Sequence, residues 1–282
     1  MTDAHGTTGE DWAEARGALW LTELDPYEQM LEPLGVALLA RADLQPGQSV
    51  ADIGCGGGWT SRQAARQVGA SGRVHGLDIS PALVAEAKRR ADAAAVSNLR
   101  FSAGDASRFQ PDDAPFDRLL SRLGVMFFDD PIAAFGHLRS LLDAGGQADF
   151  AVWAPPQNNV WMSGARAIVA AHIELPSPDP LAPGPFALAD RNHLEDVLHC
   201  AHFSSVDIAT WNGRIPVGGA ASNADKAADF ALRAFSFADA LAGTAPALVA
   251  EIRADLVAFY RDFETPEGLL VPASAWLVRA AA

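Results

Sequence analysis

Leu21 and Leu24, then Leu31, Leu34 and Leu38, recur at three- and four-residue spacing and predict a largely helical first forty residues. Asp25-Pro26 interrupts that pattern, and Pro33 with Gly35 weakens its second half. Pro46-Gly47 then marks a turn, after which short β-branched runs alternate with helical periods. The runs predict strands at 50–53, 73–79, 99–103, 116–122 and 148–153. Helices are predicted at 60–68, at 81–95 behind Pro81, and at 131–142 behind Pro131, the last ended by Gly145-Gly146. Alternation of this kind implies right-handed crossovers and a parallel sheet covered on both faces.

The second half reads differently. Residues 154–188 are rich in proline, with a short helix predicted at 163–175. A helix at 189–201, a strand at 206–211 and a last strand at 275–279 resume the layered pattern, and two alanine-rich helical stretches occupy 223–262. The irregular regions are much longer than the ~2–6 residues of ordinary connections. The expected architecture is a three-layer α/β, Rossmann-like fold with a seven-stranded, mostly parallel sheet in a single domain over 1–282. A helical cap at 1–45 precedes a cofactor-binding core at 46–153, and helical insertions at 154–188 and 212–265 lie on the substrate side. Such insertions form a lid over a site or the interface of a homodimer.

At 282 residues and 49% hydrophobic content the chain can bury a full core. A formal net charge of −14 argues against nucleic acid as a partner, since phosphate binding wants a basic face. No apolar run approaches the ~20 residues of a membrane span, and the polar, acidic residues 1–10 do not resemble a signal peptide. Cys55 and Cys200, the only cysteines, build neither a disulfide framework nor a zinc site. A cytoplasmic location, no membrane partner and no metal are the resulting expectations.

The densest chemistry lies at 49–60, where a strand breaks into glycines and a helix begins at once. A backbone without Cβ atoms admits a ligand closely there, and the first helical amides point outward as donors. Asp52 precedes the turn, Asp78 ends the second strand, and Asp105 follows the third. Ligands bind at these carboxyl ends in an open parallel sheet. A dinucleotide turn wants Gly-x-Gly-x-x-Gly; Gly54 and Gly56 fit, but the third place holds Trp59. Asp52 would also repel a pyrophosphate while attracting an ammonium or sulfonium. The turn therefore suits a cationic, phosphate-free nucleoside better than the dinucleotide of an NAD-type oxidoreductase.

Val50-Ala51-Asp52-Ile53-Gly54-Cys55-Gly56-Gly57-Gly58, Gly76-Leu77-Asp78-Ile79-Ser80 and Ala103-Gly104-Asp105-Ala106 resemble the successive motifs of class I S-adenosylmethionine-dependent methyltransferases. The later segments Ser121 to Pro131, Leu142 to Gly146, Gly184-Pro185-Phe186 and Val271 to Val278 are similar to a bacterial small-molecule branch near the enzymes that methylate quinone precursors and natural products. The resemblance implies S-adenosyl-L-methionine as cofactor. It implies that Asp52 orients the methionine ammonium, directly or through water, and that Gly54, Cys55 and Gly56 let the methionyl backbone and ribose lie on the turn. Asp78 would accept the ribose hydroxyls and Ile79 would pack on adenine. Asp105 would accept the adenine amino group beside the Ala106 amide, and Ser121 would give backbone contacts near the sulfonium. Trp59 departs from the family, which often carries Ala, Arg or Ser there.

Methyl transfer needs alignment more than a dedicated catalytic group, so no triad is expected. His172 is the best-placed candidate base, whereas the helix periodicity turns His137 to solvent. Met126, Phe127 and Phe128 read as a substrate wall or as core. Trp153, Trp161 and Phe186 can cover a flat substrate, and Trp12, Trp20 and Tyr27 can close over the cofactor or anchor a helix. No Asn-Pro-Pro-Tyr or Asp-Pro-Pro-Tyr follows the fourth strand, which counts against methylation of base or glutamine nitrogens. The expected activity is methyl transfer to an O, N or C atom of a small, apolar or aromatic metabolite. The alternatives are an NAD-type oxidoreductase and a non-catalytic regulatory module of the same fold.

Overall fold

Asp25-Pro26 opens a helix in place of interrupting one. In the computed structural model, which describes residues 12–177 and 179–282, α1 (Ala15–Thr22) is followed at once by α2 (Leu24–Ala42). Pro26 falls in the first turn of α2, where its missing N–H would have had no intrahelical partner anyway. Pro33 sits mid-helix and costs one backbone hydrogen bond, but Met30, Leu31, Leu34 and Leu38 bury one face of α2 almost completely. Burial of that stripe outweighs the lost bond.

The core follows the predicted alternation. It runs β1 (Ser49–Ile53), α3 (Trp59–Val68), β2 (Arg73–Asp78), α4 (Pro81–Ala93), β3 (Leu99–Ala103), β4 (Phe116–Arg122), α5 (Pro131–Ser140) and β5 (Leu142–Trp153). Ser80 and Asp130 cap α4 and α5, each accepting a backbone N–H three residues on, with proline next in the chain. β5 starts earlier than its pattern suggested. Leu142 pairs with Phe116, the next ladder pair is Arg118 with Gln147, and the Gly145-Gly146 turn is accommodated as an irregularity within the strand.

Beyond β5 come α6 (Val160–His172), α7 (Arg191–Cys200), β6 (Ser205–Ile215), α8 (Ala224–Ala234) and α9 (Pro246–Arg261). A small hairpin, β7 (Glu264–Thr265) with β8 (Gly268–Leu269), leads into β9 (Val271–Ala281). The main sheet has seven strands in the order β3-β2-β1-β4-β5-β9-β6, all parallel except β9, which inserts antiparallel between β5 and β6. β6 and β9 are roughly twice as long as the sequence pattern indicated, because they pair with each other over eleven residues and need less alternation to be held. Chain order reverses between β1 and β4, which places a crevice above the carboxyl ends of the central strands. Among the described residues no helix is long and apolar enough to cross a membrane.

Candidate cofactor and substrate site

The glycine turn is shaped by close approach as well as by dihedral angle. Gly54, Gly56 and Gly58 all have positive φ, of 66°, 53° and 77°. A Cβ on Gly54 would lie 2.7 Å from the Cα of Gly124, so the ends of β1 and β4 can meet only as glycines. Above this turn a cavity of about 220 Å³ opens at the carboxyl ends of β1, β2, β3, β4 and β5.

One half of the cavity is polar. Asp78 sits in its wall with both carboxylate oxygens engaged, Oδ2 accepting the Gly56 N–H at 2.8 Å and Oδ1 the Ser80 N–H at 2.9 Å. Burial pushes its carboxyl above the usual range, and these two bonds oppose that. Each oxygen retains a further lone pair for a hydroxyl donor. Ile79, Gly104, Asp105 and Ala106 continue this wall, as do Gly54, Cys55 and Gly56. Asp105 Oδ1 accepts from the backbone N–H and the hydroxyl of Ser107, at 2.9 and 2.7 Å, which fixes the loop after β3. Burial pushes the Cys55 thiol well up, so it stays neutral.

Two of the expected residues lie elsewhere. Asp52 is buried behind the turn, where its Oδ2 accepts the Ser61 hydroxyl at 2.5 Å, and it forms no part of the cavity wall. Burial raises its carboxyl to about 7, against the lowering effect of Ser61 and Arg122. Ser121 is also buried away from the cavity; its hydroxyl accepts the Gly124 N–H at 3.2 Å and tightens the turn after β4. The neighbouring Arg122, Leu123 and Gly124 line the wall instead. Sequence reasoning missed Arg122 and also Glu28, which reaches the wall from α2. Its place as the last residue of β4, at the strand's carboxyl end, was the available signal for Arg122.

The other half is apolar. Met126, Phe127 and Phe128 line it, together with Trp153 and Trp161 and with Phe235 beyond α8; Phe186 does not, and its neighbour Pro185 does. Trp12, Trp20 and Tyr27 roof both halves. Trp20 stacks on Tyr27 with ring centroids 3.7 Å apart, and the indole of Trp12 meets Phe127 edge-on at 5.0 Å. The Tyr27 hydroxyl donates to the Ala234 carbonyl at 2.5 Å, tying α2 to the end of α8, and burial raises its pKa strongly. These aromatics therefore both cover the cavity and anchor the cap.

No histidine lines the cavity among the described residues. His172 lies within 2.8 Å of Asp255 and joins α6 to α9. His137 does not face solvent as its helix periodicity suggested: it is half-buried, with Nε2 2.9 Å from the Phe109 carbonyl.

Comparison with known proteins agrees with this geometry. Residues 50–146 match the profile of a family described as a methyltransferase domain. Over 122 residues the chain is 32% identical to aklanonic acid methyltransferase from Streptomyces sp. strain C5, covering 43% of this chain and 56% of that protein. Over 111 residues it is 35% identical to trans-aconitate 2-methyltransferase from Escherichia coli strain 55989, covering 39% of this chain and 41% of that protein. The match thus spans about half the length of these curated relatives. Among solved structures, the [4+2]-cyclase SpnF superposes with a TM-score of 0.60 at 17% identity, covering 98% of this chain and 97% of that one. The YcgJ protein from Bacillus subtilis superposes at 0.56 and 16% identity, covering 88% and 97%. The chain shares the fold of these solved structures, and residues 50–146 match a methyltransferase domain.

Proposed function

We propose that this methyltransferase-domain chain transfers the methyl group of S-adenosylmethionine to an O, N or C atom of a small, apolar or aromatic metabolite. The residues of the polar half fit the nucleoside of that cofactor. Asp78 has acceptor capacity left for the two ribose hydroxyls, Ile79 offers an apolar face to adenine, and Asp105 with the Ala106 amide offers an acceptor and a donor to its edge. Gly54, Cys55 and Gly56 let the ribose and methionyl carbons approach the backbone.

The cofactor when bound supplies an activated methyl group, and the protein's work is alignment and exclusion of water. Trp20 and Tyr27 roof the glycine turn, while Trp153, Trp161, Met126 and Phe127 enclose the space beside it. That apolar enclosure, continuous with the nucleoside half, is the observation that carries the reading on acceptor class. It favours a flat or greasy molecule over a peptide or nucleic acid, whose polar backbone would lose its hydration there. The helical insertions supply Trp161 from α6 and Phe235 from the end of α8, so they act here as walls of the acceptor space.

Incubation with S-adenosylmethionine labelled in its methyl group and a panel of hydrophobic phenols, hydroxyquinones and heteroaromatic amines tests this. The expected result is label in at least one small product and stoichiometric S-adenosylhomocysteine. Label confined to protein or RNA would overturn the acceptor class.

A further inference from the structure

Besides Arg16, which pairs with Asp239 at 2.9 Å, two charged side chains in the cavity wall have no role in the proposed nucleoside contacts. Arg122, at the end of β4, makes no ion pair with any carboxylate among the described residues, and its Nη1 is buried without a hydrogen-bond partner. Glu28, on α2, spends Oε2 on Arg90 at 2.9 Å and Arg62 at 3.5 Å, but its Oε1 is buried without a partner. The two are not in ion-pair contact with each other, although Glu28 is the foremost carboxylate acting on Arg122. A buried guanidinium and a buried carboxylate held apart on one wall are costly unless something charged comes between them.

The packing around Arg122 is built to hold it there. Its guanidinium carbon lies 4.9 Å from the ring centroid of Trp59, the residue that replaces the third glycine of a dinucleotide turn. Gly35 of α2 is the counterpart of that stack. A Cβ there would sit 2.5 Å from Trp59 Cζ3 and 3.2 Å from Arg122 Nη1. On the other side, a Cβ at Gly57 would lie 2.6 Å from Glu28 Oε1, so this oxygen is pressed against the glycine turn itself. Trp59, Gly35 and Gly57 are thus the residues that leave room for the two charges beside the turn.

We infer that Arg122 and Glu28 clamp the amino-acid end of the cofactor, Arg122 pairing with its carboxylate and Glu28 Oε1 accepting from its ammonium. This rests on the methyltransferase reading above and assigns to Glu28 the ammonium contact that the sequence motif suggested for Asp52. A zwitterion matches the opposite signs of the two groups, and charge-assisted bonds to a guanidinium and a carboxylate are the strong ones. Trp59 acts as a positioning residue that orients the guanidinium by stacking.

The test is calorimetric titration of the full chain with S-adenosylhomocysteine and with 5′-methylthioadenosine, which has the same nucleoside and sulfur but no amino-acid end. Arg122→Met is expected to weaken S-adenosylhomocysteine roughly tenfold or more while changing 5′-methylthioadenosine by less than about twofold, and Glu28→Gln to act in the same selective way. Arg122→Lys, which keeps a charge but loses the fork, should recover part of the affinity. Decarboxylated S-adenosylhomocysteine should remain sensitive to Glu28→Gln and become insensitive to Arg122→Met. Equal loss of both ligands in the Met and Lys variants, or no loss of either, overturns the clamp. Failure of the unmodified chain to bind either ligand overturns the methyltransferase reading, and the clamp with it.

Discussion

The difference between Ser121 and Arg122 is one step along a strand, and that step sends their side chains to opposite faces. Ser121 turns under to hold Gly124, while Arg122 faces the cavity. The sequence showed that the end of β4 mattered but not which of the two would face the cavity, because that choice depends on pairing with β1 and β5. Asp78 was legible because it is the last residue of β2, where the chain leaves the sheet beside the turn. Asp52 lies one residue inside its strand, and its carboxyl is directed to Ser61 on α3. Its raised value of about 7 has a consequence for stability. An unfolded chain releases that proton near pH ~4, so between pH ~4 and ~7 the folded state alone holds it and stability falls as pH rises. Asp52→Asn removes this slope. The variant is expected to match the unmodified chain near pH ~4.5 and to exceed it on the order of 2–4 kcal/mol near pH ~8, measured by urea unfolding at each pH. Parallel pH profiles would contradict the assignment.

The strand and helix sequence from β1 to α5 was readable because each run is short, periodic and punctuated by glycine, proline or a capping acid. Helix was readable across 15–42 too, while residues 1–11 of the expected cap lie outside the described residues. Glu28 reaches the glycine turn only because α2 packs across α3 and α4, and such contacts between distant segments leave no local pattern. The far end of α2 is fastened by charge. Asp149 on β5 is fully buried and receives Arg118 and also Arg279, whose Nε is 2.8 Å from Oδ1. These arginines in turn donate to the carbonyls of Ala42 and Arg41 at the end of the helix. Asp149→Ala leaves a buried guanidinium without its counter-charge and is expected to destabilise the fold by roughly 3 kcal/mol. Because this cluster is remote from the cavity wall, the folded fraction should bind S-adenosylhomocysteine with unchanged affinity. Urea unfolding combined with titration at low temperature reads both quantities.

At the scale of the molecule, the cavity joins two parts with different histories of legibility. The named residues of its polar half lie within residues 50–146, the region of the family match. Its apolar half adds to Met126, Phe127 and Phe128 of that region side chains from α6, from the segment after α8 and from α2, which lie outside the family match. The proline-rich and alanine-rich composition of those segments marked them as insertions without revealing that Trp161 and Phe235 would meet 5.2 Å apart beside Trp153. The proposal that the polar half holds S-adenosylmethionine is the claim on which the rest of the account depends. Titration of the purified full chain with S-adenosylhomocysteine, alongside NADH as the dinucleotide control, tests that central claim most directly. One molecule of S-adenosylhomocysteine per chain at about micromolar affinity, with no heat from NADH, is the predicted result. Binding of NADH with none of S-adenosylhomocysteine would contradict it.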